Sequence, residues 1–199
     1  MKKILFATSN EAKVKRFKDK LLNKGIELLS LKDLDASLTI EENGTSAIEN
    51  ALIKARAYSD KVDIPVIAMD DTLYLEDVPE EYQPGLYVRR VNGKSLSDSE
   101  MLEYYSNLVK IYGHNGKIVA RWVYGLAIIY GQKEETYTWS KTNFWLVDTP
   151  SSIVNPGYPL NSISKSIELN KCFSEMTQED WQNIQEQEDD VIDFIAKNV

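Results

Sequence analysis

A chain of 199 residues with 43% hydrophobic content can bury one good core, and 31 acidic against 23 basic residues, net charge -8, argue against a nucleic-acid partner, which needs a broad basic surface. A single cysteine, Cys172, excludes an intrachain disulfide, and together with the single histidine, His114, it leaves too little at any one locus for a zinc centre or a Ser-His-Asp triad. No apolar run near the start has the length of a signal peptide or membrane span, so a cytoplasmic protein with no membrane partner is expected.

In chain order, Lys2 to Thr8 reads as a strand with Ile4, Leu5, Phe6 and Ala7 buried, and it runs straight into Thr8-Ser9-Asn10 and a lysine-rich helix from Glu11 to Asn23. That helix carries Val14, Phe17, Leu21 and Leu22 on one face. A strand that ends in small hydroxyl and amide residues at a helix N-terminus presents unpaired backbone N–H groups and the positive end of the helix dipole, which suits an anion. Lys13, one turn in, is placed to reach a phosphate, so a polyphosphate is the ligand this pattern fits; an ordinary helix cap is the plainer reading of the same residues.

Thr45 to Asp60 reads as a helix with Ala47, Ile48, Ala51, Leu52 and Ala55 toward the core, while Asn50 and Lys54 share another face. Pro65 to Asp70 is a short buried strand ending at the pair Asp70-Asp71. Two acids at the end of an apolar strand are costly to bury and call for a cation or a hydrogen-bond donor nearby. Glu41-Glu42 lies in a polar turn, where a solvated surface is the simplest reading. With no GxxxxGK[ST] or GxGxxG in the chain, carboxylates carry the chemistry, and magnesium is the economical partner because it takes one or two carboxylates together with phosphate oxygens.

Ser97 to Tyr112 reads as a helix, and Lys117 to Tyr130 with Thr136 to Val147 as a long hairpin rich in Val, Ile, Tyr and Trp. His114, in Tyr-Gly-His-Asn-Gly, is expected on a surface loop. Thr177-Gln178-Glu179-Asp180 starts a C-terminal helix carrying Trp181, Ile184, Val191 and Ile195. No repeat or linker interrupts the chain. Residues 1–199 are therefore expected to form one α/β domain, a mixed central sheet flanked by helices with a smaller second lobe.

The run from Ile40-Glu41-Glu42-Asn43-Gly44-Thr45-Ser46 through Glu49-Asn50-Ala51-Leu52-Ile53-Lys54-Ala55, then Met69-Asp70-Asp71-Thr72, then Pro84-Gly85-Leu86-Tyr87 with Arg90, closely resembles in order and spacing the inosine triphosphate pyrophosphatase family of noncanonical purine nucleotide hydrolases. The resemblance is dense to about residue 93 and thins beyond. It implies a magnesium-dependent enzyme, active as a homodimer, that hydrolyses a nucleoside triphosphate to a monophosphate and pyrophosphate. It further implies that Glu42 and Asp71 hold the metal and that Asp71 orients or deprotonates the attacking water. On that resemblance Thr8, Ser9, Asn10 and Lys13 contact the phosphates, Lys54, otherwise an ordinary exposed helix lysine, clamps them, and Arg90 contacts the substrate. Asn50, a turn before Lys54, is placed to position the carboxylates or bind substrate, and Tyr158 is placed either to stack on a base or to pack on the C-terminal helix.

Departures from the family pattern qualify this picture. Asp70-Asp71-Thr72 runs into Leu73-Tyr74-Leu75 without the usual glycine, so either aspartate can be the base, and Arg16 stands where the family usually has an acid. Asn155-Pro156-Gly157-Tyr158-Pro159 lacks the Phe and the Asp of the family's base-reading loop. Cys172-Phe173-Ser174-Glu175-Met176 keeps a family segment, but Trp181 takes the place of a base-contacting lysine and Gln185-Glu186-Gln187 that of Ser-His-Arg. Altered base selectivity is the expectation. The alternatives are a nucleotide-binding or sensing protein on the same fold, with little turnover, and a Maf-like pyrophosphatase for modified pyrimidine nucleotides.

Overall fold

β1 (Lys2–Phe6) forms because a run of apolar residues can be buried on both faces only in the middle of a sheet, and Ile4, Leu5 and Phe6 are all fully buried. The computed structural model describes residues 1–34, 38–183 and 188–199. β1 pairs in parallel with β2 (Ile26–Ser30) on one side and β3 (Val66–Leu75) on the other. β6 (Lys117–Tyr130), β7 (Lys133–Val147) and the short β8 (Ser164–Ser166) complete a six-stranded mixed sheet in the order β2-β1-β3-β6-β7-β8. β4 (Arg90–Val91) and β5 (Lys94–Ser95) form a separate small hairpin. The helices are α1 (Glu11–Asn23), α2 (Ala47–Ser59), α3 (Asp98–Tyr112), α4 (Gln178–Asn183) and α5 (Glu188–Asn198).

The chain divides into two compact units. The first comprises Met1–Asp71, Val123–Trp139 and Gln187–Val199. In it, pleat alternation assigns each strand residue to a face. Leu5, Ala7, Val66 and Ala68 pack with Ala51, Ala55 and Tyr58 of α2, joined by Ala127 and Ile129 of β6. β6 approaches α2 so closely at Gly125 that an added Cβ would lie 2.5 Å from the backbone of Ala47 and Ile48, which only glycine permits. The intervening residues turn the other way, where Phe6 meets Phe17 of α1 edge-on at 5.8 Å. α1 and α2 thus cover opposite faces of β1 and β3. On the α1 side, Lys20 and Lys24 pair with Asp189 and Asp193 of α5, Tyr124 stacks on Trp139, and the guanidinium of Arg16 lies 5.4 Å over the Tyr124 ring.

The second unit comprises Thr72–Trp122 and Ser140–Glu186. Its core gathers Leu73 and Leu75 of β3, Met101, Tyr105, Leu108 and Val109 of α3, Ile118 and Ala120 of β6, and Phe144 and Leu146 of β7. α3 starts with a full capping box, the Ser97 hydroxyl accepting from the Glu100 amide while the Glu100 carboxylate accepts from the Ser97 amide.

Several boundaries differ from the sequence reading. β3 does not stop at Asp70 but continues to Leu75, since sheet pairing outweighs the local preference of two acids for a strand end. β2 was not expected: Ile-Glu-Leu-Leu-Ser mixes helix formers into a five-residue edge strand and carries no alternation strong enough to announce it. Leu22, expected on the buried face of α1, is 49% exposed, one position off the Val14-Phe17-Leu21 stripe. α2 begins at Ala47 with Ser46 as its cap rather than at Thr45, and β7 begins at Lys133 rather than Thr136. The single C-terminal helix is described as α4 and α5, and Ile184 lies outside the described residues. His114 is exposed in a turn, as expected.

Candidate active site

α1 is capped by Asn10, whose side-chain oxygen accepts from the amides of Ala12 at 2.9 Å and Lys13 at 3.4 Å. The Thr8 hydroxyl oxygen accepts from the Asn10 amide at 3.1 Å, closing the turn, and an accepting hydroxyl still carries an O–H to donate. Ser9 is exposed at the crown of this turn. The capping reading is thus what the structure shows: the side chains shape the turn, and Lys13 projects from the helix start that Asn10 caps.

The Lys13 ammonium lies 2.7 Å from Asp71 Oδ2, with the two side chains only 12% and 21% exposed. The other oxygen of that carboxylate, Oδ1, is buried with no hydrogen-bond partner. Lys54, near the middle of α2, sits 3.3 Å from Glu42 Oε2 and 3.3 Å from Asp70 Oδ1. Asp70 and Asp71 are consecutive on one strand, so they point to opposite faces: Asp70 follows Ala68 toward α2 and its lysine, and Asp71 follows Met69 toward α1 and its lysine. The structure thus brings Glu42 together with Asp70 through Lys54, and sets Asp71 with Lys13.

Glu42 is carried on an extended segment that runs antiparallel along α2. Ile40, Glu42 and Gly44 turn inward while Thr39, Glu41 and Asn43 are exposed. Ile40 packs on the α2-side core, the Leu38 amide donates to the Tyr58 hydroxyl at 3.1 Å, and the Gly44 amide donates to Asn50 Oδ1 at 2.9 Å. This two-residue period explains why Glu42 meets Lys54 and Glu41 faces solvent. Asn50 is 2% exposed and serves the segment rather than the surface, and neither it nor Tyr58 could be tied to Leu38 or Gly44 from helical spacing alone.

Three carboxylates against two ammoniums leave one negative charge in excess, carried on the α2 side where Glu42 and Asp70 share Lys54, while on the α1 side the buried Oδ1 of Asp71 lacks a partner. Such an all-oxygen donor set suits a hard divalent cation. Among the described residues no group of three or more His, Cys, Asp or Glu is arranged to hold a metal by itself.

In the second unit, Arg90 is exposed on β4 with its guanidinium 5.4 Å over the Tyr87 ring. Tyr158 closes a tight turn, its amide donating to the Asn155 carbonyl at 3.0 Å and its carbonyl accepting from Asn161 at 3.1 Å. Trp181 packs 5.4 Å from Phe173, and the Lys141 ammonium lies 4.1 Å over its ring and 4.5 Å over that of Phe173. Lys141 carries no local sequence signal, because it lies on β7 and its contact with Trp181 of α4 exists only in three dimensions. Gln185, Glu186 and Gln187 lie outside the described residues.

A sequence model of the Ham1 family matches residues 4–193. The chain belongs to the Ham1 family. It is 36% identical over 138 residues to a dITP/XTP pyrophosphatase of Oceanobacillus iheyensis, covering 69% of this chain and 68% of that protein. A dITP/XTP pyrophosphatase of Thermoanaerobacter pseudethanolicus is 30% identical over 187 residues, covering 94% of this chain and 91% of that one. The match to a Vibrio parahaemolyticus protein of the same name is 40% identical but spans about half the length of that relative, 50%. In three dimensions the Ham1 protein of Staphylococcus aureus superposes with a TM-score of 0.74 at 20% identity, covering 100% of both chains, which establishes the shared fold.

Proposed function

We propose that this member of the Ham1 family is a magnesium-dependent nucleoside triphosphate pyrophosphohydrolase. The observation that carries the reading is the pairing of two lysines from helices on opposite sheet faces with adjacent aspartates on β3. The relatives' names, dITP/XTP pyrophosphatase, supply the reaction class. In the reaction, a water oxygen bonds to the α-phosphorus while the bond from that phosphorus to the bridging oxygen breaks. The water proton passes to a carboxylate and pyrophosphate leaves as the anion. Asp71, with an unpartnered oxygen, is the stronger candidate for accepting that proton, and Asp70 the other. Lys13 and Lys54 offset charge on the departing phosphates, and the Thr8-Ser9-Asn10 turn donates to them. By the family resemblance Glu42 and Asp71 would hold the magnesium, although Glu42 stands with Asp70 at Lys54 while Asp71 turns to the other face of β3; when bound, the ion would neutralise phosphate charge.

The reading also carries a homodimer in the cytoplasm without nucleic-acid or membrane partners. A net charge of -8 disfavours a nucleic-acid surface, and no helix among the described residues is long and apolar enough to cross a membrane. Base selectivity is proposed to be broader than a dITP/XTP preference, because stacking faces such as Tyr158 and Trp181 tolerate any base.

A nucleotide panel of ITP, XTP, GTP, ATP and dUTP, assayed for orthophosphate with and without added inorganic pyrophosphatase, tests the function. Phosphate should appear only when pyrophosphatase is added. Orthophosphate as a primary product would refute the proposal.

A further inference from the structure

Glu42 reaches Lys54 from a segment that has no regular secondary structure of its own, so something must fix how far it reaches. The segment is fastened to α2 on either side of Glu42: at Leu38 by the Tyr58 hydroxyl and at Gly44 by Asn50 Oδ1. The Gly44 fastening is the closer of the two along the chain and the tighter. A Cβ on Gly44 would lie 2.7 Å from Asn50 Oδ1, 2.7 Å from Glu49 Cβ and 2.9 Å from the Asn50 amide nitrogen, so the backbone has come into contact with the helix with no room for a side chain. Immediately after it, Thr45 donates through its amide and its hydroxyl to Glu49, and Ser46 caps α2. Those contacts anchor the helix start; the Asn50 bond alone reaches back to the residues that carry Glu42.

We propose that Asn50 is a positioning residue, acting through its hydrogen bond to the Gly44 amide to hold Glu42 at Lys54. The proposal rests on the reading of this cluster as a nucleotide-hydrolysing site. A buried amide side chain that only filled space would have its effect wherever Glu42 stood; one that positions Glu42 has its effect through that carboxylate. The two roles separate in a double-mutant cycle.

Asn50→Ala removes the acceptor, and Gly44→Ala pushes the segment off from the other side of the same bond, so each variant backs the other if one fails to fold by circular dichroism. Rates with nucleoside triphosphate and magnesium are measured with enzyme in excess, in the parent and in Glu42→Gln. Each latch variant should lower kcat/KM about ten- to a hundredfold in the parent, the scale of a roughly 1 Å misplacement. In Glu42→Gln the same change should cost less than about threefold. Amide hydrogen exchange, read without any ligand, should rise over residues 38–46 in Asn50→Ala and stay unchanged in β1 and β3. Equal losses in both backgrounds, no loss in either, or unchanged exchange over 38–46 would overturn the proposal. A parent protein without triphosphate hydrolysis refutes the reading of the site instead, and the exchange measurement then decides the latch.

Discussion

Asp71→Asn should destabilise the protein more than Asp70→Asn, although the two acids are neighbours on one strand. Asp71 is the counter-ion of Lys13 at 2.7 Å, the one ion pair of Lys13 among the described residues. Asparagine keeps the shape and a carbonyl oxygen but removes the charge, leaving an ammonium whose side chain is 12% exposed facing a neutral acceptor. Stranding one partner of a fully buried ion pair costs about 3–5 kcal/mol, and the partial exposure of both groups brings this down to about 1–2 kcal/mol. For a protein of this size that is a fall in Tm of about 2–8 °C. At Asp70 the outcome differs because Lys54 keeps Glu42 at the same 3.3 Å separation. Neutralising one of two carboxylates that share a single ammonium also relieves their mutual repulsion, so the change there should stay within about 0.5 kcal/mol. Thermal unfolding by circular dichroism at neutral pH, in low and in 0.5 M salt (roughly a 4 Å screening length), measures both. A larger fall for Asp70→Asn, or no fall for Asp71→Asn, would show that the opposite-face assignment of the acids is wrong. Turnover of the same proteins separates the catalytic roles: Asp71→Asn should lose about two to four orders of magnitude, and a far greater loss for Asp70→Asn would make Asp70 the base.

Glu42→Gln should lower turnover by about two to four orders of magnitude, and Lys54→Ala should raise KM and lower kcat together because its ammonium faces both carboxylates and, on the proposed reaction, would also meet phosphate; unchanged kinetics in both variants would remove the cluster from the mechanism. Across ITP, XTP, GTP, ATP and dUTP, kcat/KM for ITP or XTP should exceed that for GTP or ATP by less than about a hundredfold, about 2.7 kcal/mol; a wider ratio, abolished by Lys141→Met, would show that buried donors read the base. Glu100, held by the Lys94 ammonium and by the amide and hydroxyl of Ser97, has its carboxyl lowered from 4.5 to about 2. A lowered carboxylate stabilises the fold above its unfolded value and loses that contribution as pH falls through its folded value. The Tm deficit of Glu100→Gln should therefore be full at pH 6 (well above both values) and shrink toward nothing as pH approaches about 2, and a deficit independent of pH would count against the capping box.

How much of this was legible in the sequence varies residue by residue. β1 and α1 read directly, since the apolar run, the Asn10 cap and the Val14-Phe17-Leu21 stripe are local signals. The alternation Thr72-Leu73-Tyr74-Leu75 was also present, but the acids before it looked like a strand end; the lysines that make them tolerable come from helices about 58 and 16 residues away in sequence. The choice of Glu42 over Glu41 was not legible at all from the pair itself. It depends on which parity of an irregular segment faces α2, and that parity is set by Ile40, Gly44 and the two hydrogen bonds from Leu38 and Gly44. β2 was missed for a related reason, since an edge strand in parallel pairing depends on a partner rather than on its own pattern.

The same contacts that make the acids of β3 tolerable also set the terms on which a polyanion can enter. Lys13 and Lys54 are each already engaged by carboxylates, so a triphosphate that draws on them must compete with Asp71, Asp70 and Glu42 for the same ammonium groups. The cluster carries one negative charge in excess, and a bare triphosphate would add its own charge to a site that already repels it. On the proposed reaction this makes the lysines poor anchors for nucleotide alone and good ones once the carboxylates have a second cation to share. Affinity for free nucleotide should accordingly be weak, and it should rise, rather than fall, when Asp71 is neutralised, even as turnover is lost: the substitution that releases Lys13 to the phosphates removes the candidate base at the same stroke.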